Sequence, residues 1–407
     1  MFTVFIVVMV VLAYAWILYP GLMLLVSRTR PATPGEPVSD DEAPEIAILL
    51  SAHNEEKVIG ARLANLTTLH YPHDRFTIHV GLDGCTDRTA SIVRGWAQLD
   101  SRIHVASTDV CQGKTRMLKR LAGELLSCST ALPPPYLLFT DANTIFEREA
   151  VRRLVARFSD PHVGGVCGKL VFVPSAASPG RNLTTVRPPS RGTDESTYWD
   201  LETRLKEAES RLDSCLGANG AIYAIRRELF PLAMPENVII DDFVIGMKVR
   251  EQGFRMIFEP LAVAREDLPE SVRDEWRRRV RIGCGAYQAL SLCRACLSPG
   301  YGRFAWFFWS HKVLRWFTPH CMIVLLGITG WGLVGWVART EGYVVNLAAV
   351  AVAFSVLCGV LLYDVWVRFR KSVDLALYFI TMQAALLVGF LKFCRGNLSG
   401  KWERTER

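Results

Sequence analysis

The chain has 407 residues, half of them hydrophobic, a formal charge of +7 and eleven cysteines. That composition excludes a disordered tail and a small disulfide scaffold. It also leaves more apolar sequence than one globular core needs, and the surplus lies at the two ends.

The first apolar stretch runs from Phe2 to Val26 without a charge, long enough to cross a bilayer as a helix, and Arg28 and Arg30 follow it. A cleavable signal carries positive charge ahead of a shorter apolar core. None precedes this one, so residues 1–27 read as a retained anchor. The arginines place Ser27 onward in the cytoplasm. Residues 28–45 form a proline-rich linker.

From residue 46 to 300, apolar runs alternate with helical patterns. EIAILLSA, FTIHVGLDG, RIHVAS, YLLFTDAN and VGGVCGKLVFV read as strands, and Glu56 to Leu69, Asp87 to Gln98 and Lys114 to Leu126 as the intervening helices. The pattern predicts an α/β domain with a mostly parallel sheet covered on both faces. Ligands of such sheets gather beyond the carboxyl ends of the strands. Three polar tips fall there: Ser51-Ala52-His53-Asn54-Glu55, Asp83-Gly84-Cys85-Thr86-Asp87 and Asp141-Ala142-Asn143. Oxygen-rich tips suit a nucleotide and a divalent cation. Asp87 is either a helix cap or a ligand contact, and Asp83 before Gly84 is either turn chemistry or a contact. Asp141 stands out, because no helix pattern begins beside it and strands disfavour Asp. Gln112-Gly113-Lys114-Thr115 resembles the end of a phosphate-binding loop, but Thr108 holds the place of the first glycine, which argues against a Walker hydrolase.

The Pro-, Ser- and Arg-rich segment between Pro174 and Ser196 reads as disorder or a mobile cover. Tyr198, Leu201, Leu205, Ala208 and Leu212 then make one helical stripe, with Glu202/Lys206 and Glu207/Arg211 pairs outside it. The stripe packs on the core or guides an acceptor at the bilayer. Asp241 and Asp242 open a helix, where Asp241 is expected to cap. Arg277, Arg278, Arg279 and Arg281 crowd a short helical stretch; Arg278 and Arg281 share a face, fit to grip phosphates or to touch anionic lipid. Trp306, Trp309, His311, Lys312, Arg315 and Trp316, within 301–316, resemble an interfacial anchor.

Residues 317–391 hold two or three further spans: Cys321 to Ala338, Gly342 to Tyr363 and a weaker Leu375 to Leu391, with Arg368, Arg370 and Lys371 suiting a cytoplasmic loop. The basic tail, 392–407, also belongs in the cytoplasm by charge, yet three full crossings would put it outside. Either the last segment does not fully cross or the tail breaks the rule. The cysteines, whose only CxxC is Cys293 and Cys296, read as free thiols in a reducing compartment. Sequons begin at Asn65, Asn182 and Asn397, the first two inert in a cytoplasmic domain.

The succession SAHNEE, GLDGCTDRT, QGK, FTDAN, GANGAIYAIRREL, VIIDDF and EWRRRVRIGCGAYQ, from about Ile46 to Leu290, resembles the membrane-bound family-2 glycosyltransferases. That group includes cellulose, chitin-oligosaccharide, hyaluronan and poly-N-acetylglucosamine synthases. The resemblance implies a GT-A fold beside transmembrane helices and a nucleotide-sugar donor, usually a uridine diphosphate sugar. It implies that Ser51, His53, Asn54, Glu55 and Asp83 hold base and ribose, with Lys114 near the diphosphate. Asp141 and Asn143 match an Asp-x-Asp that holds Mg²⁺ or Mn²⁺. Here the second acid is an amide, which offers an oxygen without its charge. Asp242 matches the general base, and a placed carboxylate of that kind contributes roughly 10² to 10⁴ in rate. Arg278 and Arg281 cover the family's Gln-x-x-Arg-Trp: Arg278 stands for Gln, Arg281 keeps Arg, and Ile282 replaces the Trp that floors the acceptor site in processive synthases. Asn219 and Gly220 fall beside the acceptor.

The expected activity is inverting, metal-assisted transfer from a nucleotide sugar to a growing extracellular polysaccharide. Single-sugar transfer to a lipid acceptor is the runner-up, favoured by the lost Trp. A non-catalytic nucleotide-sugar sensor or assembly protein is the reading from another class. Expected partners are membrane lipids and subunits of an export or synthesis complex, and no nucleic acid.

Overall fold

The computed structural model describes residues 1–30, 38–127, 133–173, 194–267, 272–337 and 363–396. Its centre is an eight-stranded sheet: β1 (Ile46–Ala52), β2 (Phe76–Asp83), β3 (Ile103–Thr108), β4 (Tyr136–Thr140), β5 (Thr144–Phe146), β6 (Val163–Val173), β7 (Tyr223–Arg226) and β8 (Arg255–Asp267), in the order β3-β2-β1-β4-β7-β6-β8-β5. Strand β1 is buried along its whole length. Its side chains alternate between two cores: Ala47 and Leu49 enter one, Ile48 and Leu50 the other. Period-two alternation within an unbroken apolar run is what a central strand covered on both faces requires.

The half β3-β2-β1-β4 is parallel throughout, as the alternating pattern predicts. Beyond it, β7 runs antiparallel to both β4 and β6, β8 runs parallel to β6, and β5 runs antiparallel to β8. Four of the seven pairings are therefore parallel. Apolar runs report burial on two faces and carry no information on strand direction, so the mixed half was not visible in them.

Helices α1 (Phe2–Ser27), α2 (Ile59–Thr67), α3 (Thr89–Leu99), α4 (Lys114–Ser127), α5 (Ala150–Ala156), α6 (Asp194–Leu212), α7 (Asp241–Glu251) and α8 (Val272–Leu292) surround or adjoin this sheet. A short α9 (Arg303–Phe307), a π-helical Phe308–Val313 and α10 (Leu314–Trp316) lead to α11 (Thr318–Val337) and α12 (Tyr363–Cys394). Helix α2 starts at Ile59, three residues after the expected Glu56. The backbone there is already engaged: Glu55 N–H donates to Thr89 Oγ1 at 2.7 Å and Glu56 N–H to Asp87 Oδ2 at 3.2 Å.

Among the described residues, three helices are long and apolar enough to cross a membrane: Phe2–Ser27, Thr318–Gly335 and Leu377–Cys394. The expected span Gly342 to Tyr363 lies outside the described residues except for Tyr363, which opens α12. Arg368, Arg370 and Lys371, expected in a loop, lie within α12, which continues unbroken to Cys394. The segment Pro174 to Ser196 lies outside the described residues apart from the first turn of α6, as do the sequons at Asn182 and Asn397 and most of the basic tail. Asn65, the remaining sequon, braces β5: its Oδ1 accepts Phe146 N–H at 2.8 Å and its Nδ2 donates to Phe146 O at 2.9 Å.

Two packing arrangements join the apolar helices to the sheet layer. Tyr19 and Met23 of α1 enter the same core as Leu205 and Ala208 of α6 and Phe304, Phe307 and Phe308. The stripe on α6 thus packs on the core. Helices α8 and α12 cross at two glycines, where a Cβ on Gly389 would lie 2.5 Å from Cys284 N and 2.8 Å from Val280 O. Only a residue without a Cβ lets the two backbones approach so closely.

Candidate active site

The polar tips converge on one cavity of about 860 Å³. Gly220 lies in its wall. A Cβ placed there would lie 3.1 Å from Asp141 Oδ2, 3.2 Å from Lys114 Nζ and 3.5 Å from Asp242 Oδ2. Three groups from the end of β4 and the starts of α4 and α7 therefore surround one glycine. The ammonium of Lys114 donates to Asp141 Oδ1 at 2.6 Å and lies 3.9 Å from Asp241 Oδ2. Burial acts to lower the pKa of Lys114, but the carboxylates of Asp141, Asp241 and Asp242 outweigh it and hold the group above the ordinary lysine value.

Asp241 and Asp242 occupy the first turn of α7. Asp242 Oδ1 accepts its neighbour's Phe243 N–H at 2.8 Å. Asp241, expected as a cap, is instead the first residue of the helix, after Ile240 at the cap position. It is 5% exposed, and its Oδ2 has no hydrogen-bond partner among the described residues. Burial lifts its pKa to about 6; Lys114 opposes the rise, and Asp242 and Asp141 reinforce it.

His53, Asn54, Glu55 and Asp87 line one end of the cavity. Asn54 sits at φ 54°, and its side chain ties two loops, with Oδ1 accepting Thr86 N–H at 2.8 Å and Nδ2 donating to Thr86 Oγ1 at 3.1 Å. Asp83 is not in the cavity wall. It is fully buried and accepts the N–H groups of Gln112 and Gly113, each at 2.7 Å. Both oxygens are thus spent on shaping the loop that presents Lys114. Ser51 is likewise buried at 1% exposure and does not line the cavity. Both side chains therefore sit behind the cavity wall rather than in it.

Arg278 and Arg281 both line the cavity, together with Ile282. Arg278 is held by Glu275 at 3.3 Å and lies over the rings of Phe172 and Trp199, 5.6 and 5.8 Å from their centroids. Asn219 also lines it, with its polar atoms engaged: Nδ2 donates to Gly168 O at 2.9 Å, and Oδ1 accepts Ile222 N–H at 3.2 Å. Those bonds fix the turn that places Gly220. Asn143 lies in the wall beside Asp141, and its Nδ2 donates to Glu266 Oε1 at 2.8 Å. Asp141, Asn143 and Glu266 all line the cavity and carry oxygens of the kind a hard divalent cation takes, although among the described residues no cluster of three His, Cys, Asp or Glu side chains is assembled there.

Trp16, Trp199, Glu266 and Gln383 line the cavity without having been marked in the sequence, and Lys206, marked as an ion-pair partner of Glu202, lines it too. Trp16 and Gln383 belong to elements distant in sequence from the motifs. Of the expected interfacial group, Trp306 and Trp309 are 37% and 46% exposed, but His311 and Arg315 are buried. They turn inward to carboxylates: Glu202 accepts from Lys312 at 2.7 Å, Arg315 at 2.6 Å and His311 at 3.1 Å. Glu202 therefore pairs with that segment rather than with Lys206 one turn along its own helix. Glu207 and Arg211 do pair as expected.

A part-parallel sheet whose strand tips bring carboxylates and a lysine to one cleft, beside apolar helices, is the arrangement expected of a GT-A glycosyltransferase. The chain belongs to the family described as "Glycosyltransferase like family 2", which it matches over residues 44–285. It is 26% identical over 255 residues to "Probable glycosyltransferase YdaM" of Bacillus subtilis (strain 168), covering 60% of this chain and 56% of that protein. It is 23% identical over 257 residues to "Poly-beta-1,6-N-acetyl-D-glucosamine synthase" of Staphylococcus aureus (strain COL), covering 62% and 57%. The aligned part thus spans little more than half the length of these curated relatives. Among solved structures, the "Mannosyltransferase PcManGT from Pyrobaculum calidifontis in complex with GDP-Man and Mn2+" superposes with a TM-score of 0.65 at 20% identity, covering 96% of this chain and 99% of that one. At that identity the likeness shows the shared fold.

Proposed function

We propose that this chain is an inverting, membrane-bound transferase that moves a sugar from a nucleoside diphosphate to an acceptor hydroxyl delivered from the membrane side. The observation that carries the reading is one cavity whose wall includes Asp141, Asp242 and Lys114 together with Trp16, Met382 and Leu386 of the apolar helices. Asp242 removes the acceptor proton. It stands in the first turn of α7, with Oδ2 beside Gly220 and Oδ1 held by Phe243 N–H. The hydroxyl then attacks the anomeric carbon opposite the leaving diphosphate, which inverts the centre.

Lys114, Arg278 and Arg281 meet the charge that gathers on the departing diphosphate. Asp141 and Asn143, with Glu266 beside them, would hold Mg²⁺ or Mn²⁺, which supplies further charge neutralisation to the phosphates when bound. His53, Asn54 and Glu55 hold the base and ribose. A uridine nucleotide is the expected donor, and a guanosine one is the comparison suggested by the GDP-mannose in the superposed mannosyltransferase. The acceptor we propose is a growing polysaccharide, in keeping with the poly-β-1,6-N-acetylglucosamine synthase relative. Transfer to a lipid-linked acceptor is the second reading, favoured by Ile282 in place of Trp and by the apolar-helix wall. The catalytic domain works on the cytoplasmic face.

The test uses detergent-purified full chain, a panel of nucleotide sugars, and Mg²⁺ or Mn²⁺, reading free nucleoside diphosphate and product length. Asp242→Asn is expected to lower turnover by roughly 10² to 10⁴ while nucleoside diphosphate affinity stays within about twofold. Full function in that variant would identify a nucleotide-sugar sensor instead.

A further inference from the structure

The cavity continues past the carboxylates to a second polar group in its apolar-helix wall. Gln383 of α12 lines it, is 3% exposed, and among the described residues has no hydrogen-bond partner for either its amide nitrogen or its amide oxygen. An amide buried unpaired in a candidate span is costly, and polar side chains kept in such segments mark function. Arg315, 4% exposed, lines the same cavity. Its Nη1 donates to Glu202 at 2.6 Å and its Nε to the Ala15 carbonyl at 3.2 Å, while Nη2 has no partner among the described residues.

Ring contacts lead from Arg315 toward the helix that carries Gln383. The Arg315 guanidinium lies 4.6 Å from the Trp16 ring centroid. Trp16 in turn meets Phe379 edge-on at 5.0 Å, and Phe379 lies one helical turn before Gln383, on the same face. Charge at this end is predominantly positive. Lys206, Lys312 and Arg315 line it with two carboxylates, Glu202, which accepts from Lys312 and Arg315, and Asp242, which acts on Lys206 from the catalytic side; Glu209 sits behind His311, outside the wall. A neutral glycan hydroxyl has no use for that excess of cations. A phosphate ester does, and the neighbouring Trp16, Met382 and Leu386 offer apolar surface for a chain attached to it.

We propose that Gln383 and Arg315 form a subsite for the phosphate of an acceptor carried on a single apolar chain, with Lys206 and Lys312 supplying the surrounding positive charge. The phosphate oxygens accept from Arg315 Nη2 and the Gln383 amide, and the acceptor hydroxyl then projects toward Asp242. The catalytic consequence rests on the transferase reading; the binding itself does not.

Farnesyl phosphate serves as probe with detergent-purified full chain, read by native mass spectrometry and tryptophan fluorescence. Farnesol, inorganic phosphate and phosphatidylglycerol are the comparison arms. The wild type is expected to bind farnesyl phosphate in preference to all three. Gln383→Leu should weaken that binding about tenfold while melting at the same or a higher temperature, because an unpaired amide is exchanged for an apolar side chain. Gln383→Glu should weaken it further, and Lys206→Met should also reduce it. Unchanged binding in Gln383→Leu and Lys206→Met would overturn the subsite. So would equal binding of farnesol, of inorganic phosphate or of phosphatidylglycerol. Nucleoside diphosphate binding to the wild type is measured separately: its failure defeats the donor reading and leaves the lipid-phosphate result standing.

Discussion

Asp241 and Asp242 are adjacent in sequence and differ in surroundings. Asp242 has a backbone N–H on one oxygen, whereas Asp241 is buried with an oxygen unpaired and its pKa lifted to about 6. The sign follows from linkage. Between the ordinary Asp value of 3.8 and about 6, the folded protein binds a proton that the unfolded chain has released, so stability falls as pH rises through that window and is level above it. Asp241→Asn removes the titrating group and leaves Lys114 its 2.6 Å partner Asp141. Thermal unfolding should show the variant equal to wild type near pH 4 and more stable from about pH 6 upward. A gap that does not vary with pH would refute the assignment. The residue types of the site were legible in the motifs, but their orientation was not. Asp83 and Ser51 stand at strand ends like Asp141, yet Asp83 faces the backbone of Gln112 and Gly113 because that loop folds back over it. Gly84 makes the return possible: at φ +58° it passes so close that a Cβ would lie 2.2 Å from Cys111 N.

The arginine-bearing helix α8 is positioned by an element far along the chain. Gly389 of α12 meets the α8 backbone at Cys284, Gly283 and Val280, and a Cβ on Gly283 would in return lie 3.1 Å from Leu386 Cα. Backbone atoms cannot turn aside as a side chain can. Gly389→Val should therefore force the helices apart, cost about 1 to 3 kcal/mol in unfolding, and raise the KM for donor by moving Arg278 and Arg281. Gly332→Val in α11, where nothing lies within 4 Å, is the control expected to change neither. Equal stability of the two variants would mean that the crossing does not hold α8. The helical patterns of α3, α4 and α6 were readable because amphipathic spacing is a local property. What each helix packs against is not local, which is why spacing alone assigned Glu202 to Lys206. The structure pairs Glu202 with Lys312 and Arg315 instead.

At the scale of the molecule, that same carboxylate joins three parts: α6 beside the sheet, the segment carrying His311, Lys312 and Arg315, and α1. Arg315 reaches the Ala15 carbonyl of α1 and stacks on Trp16, and Tyr19 of α1 donates to Glu209 at 2.7 Å, which also meets His311 Nδ1 at 2.6 Å. Burial acts to raise the pKa of Glu202, but Lys312, His311 and Arg315 hold it well below the ordinary value of 4.5. Neutralising it would leave Lys312 and Arg315 facing each other without their counter-ion. Breaking one member of a buried ion pair costs about 3 to 5 kcal/mol, much more than a surface pair. Glu202→Gln should therefore lower the melting temperature in detergent and expose the junction between α1 and α6 to proteolysis. Because the folded pKa is depressed, the contribution of Glu202 is complete above about pH 4.5 and is lost as pH falls toward the folded value. The gap between wild type and Glu202→Gln is thus expected to be widest at neutral pH and to narrow below that point. Equal melting of the two proteins at pH 7 would show that α1 is held to the catalytic domain by its apolar contacts alone.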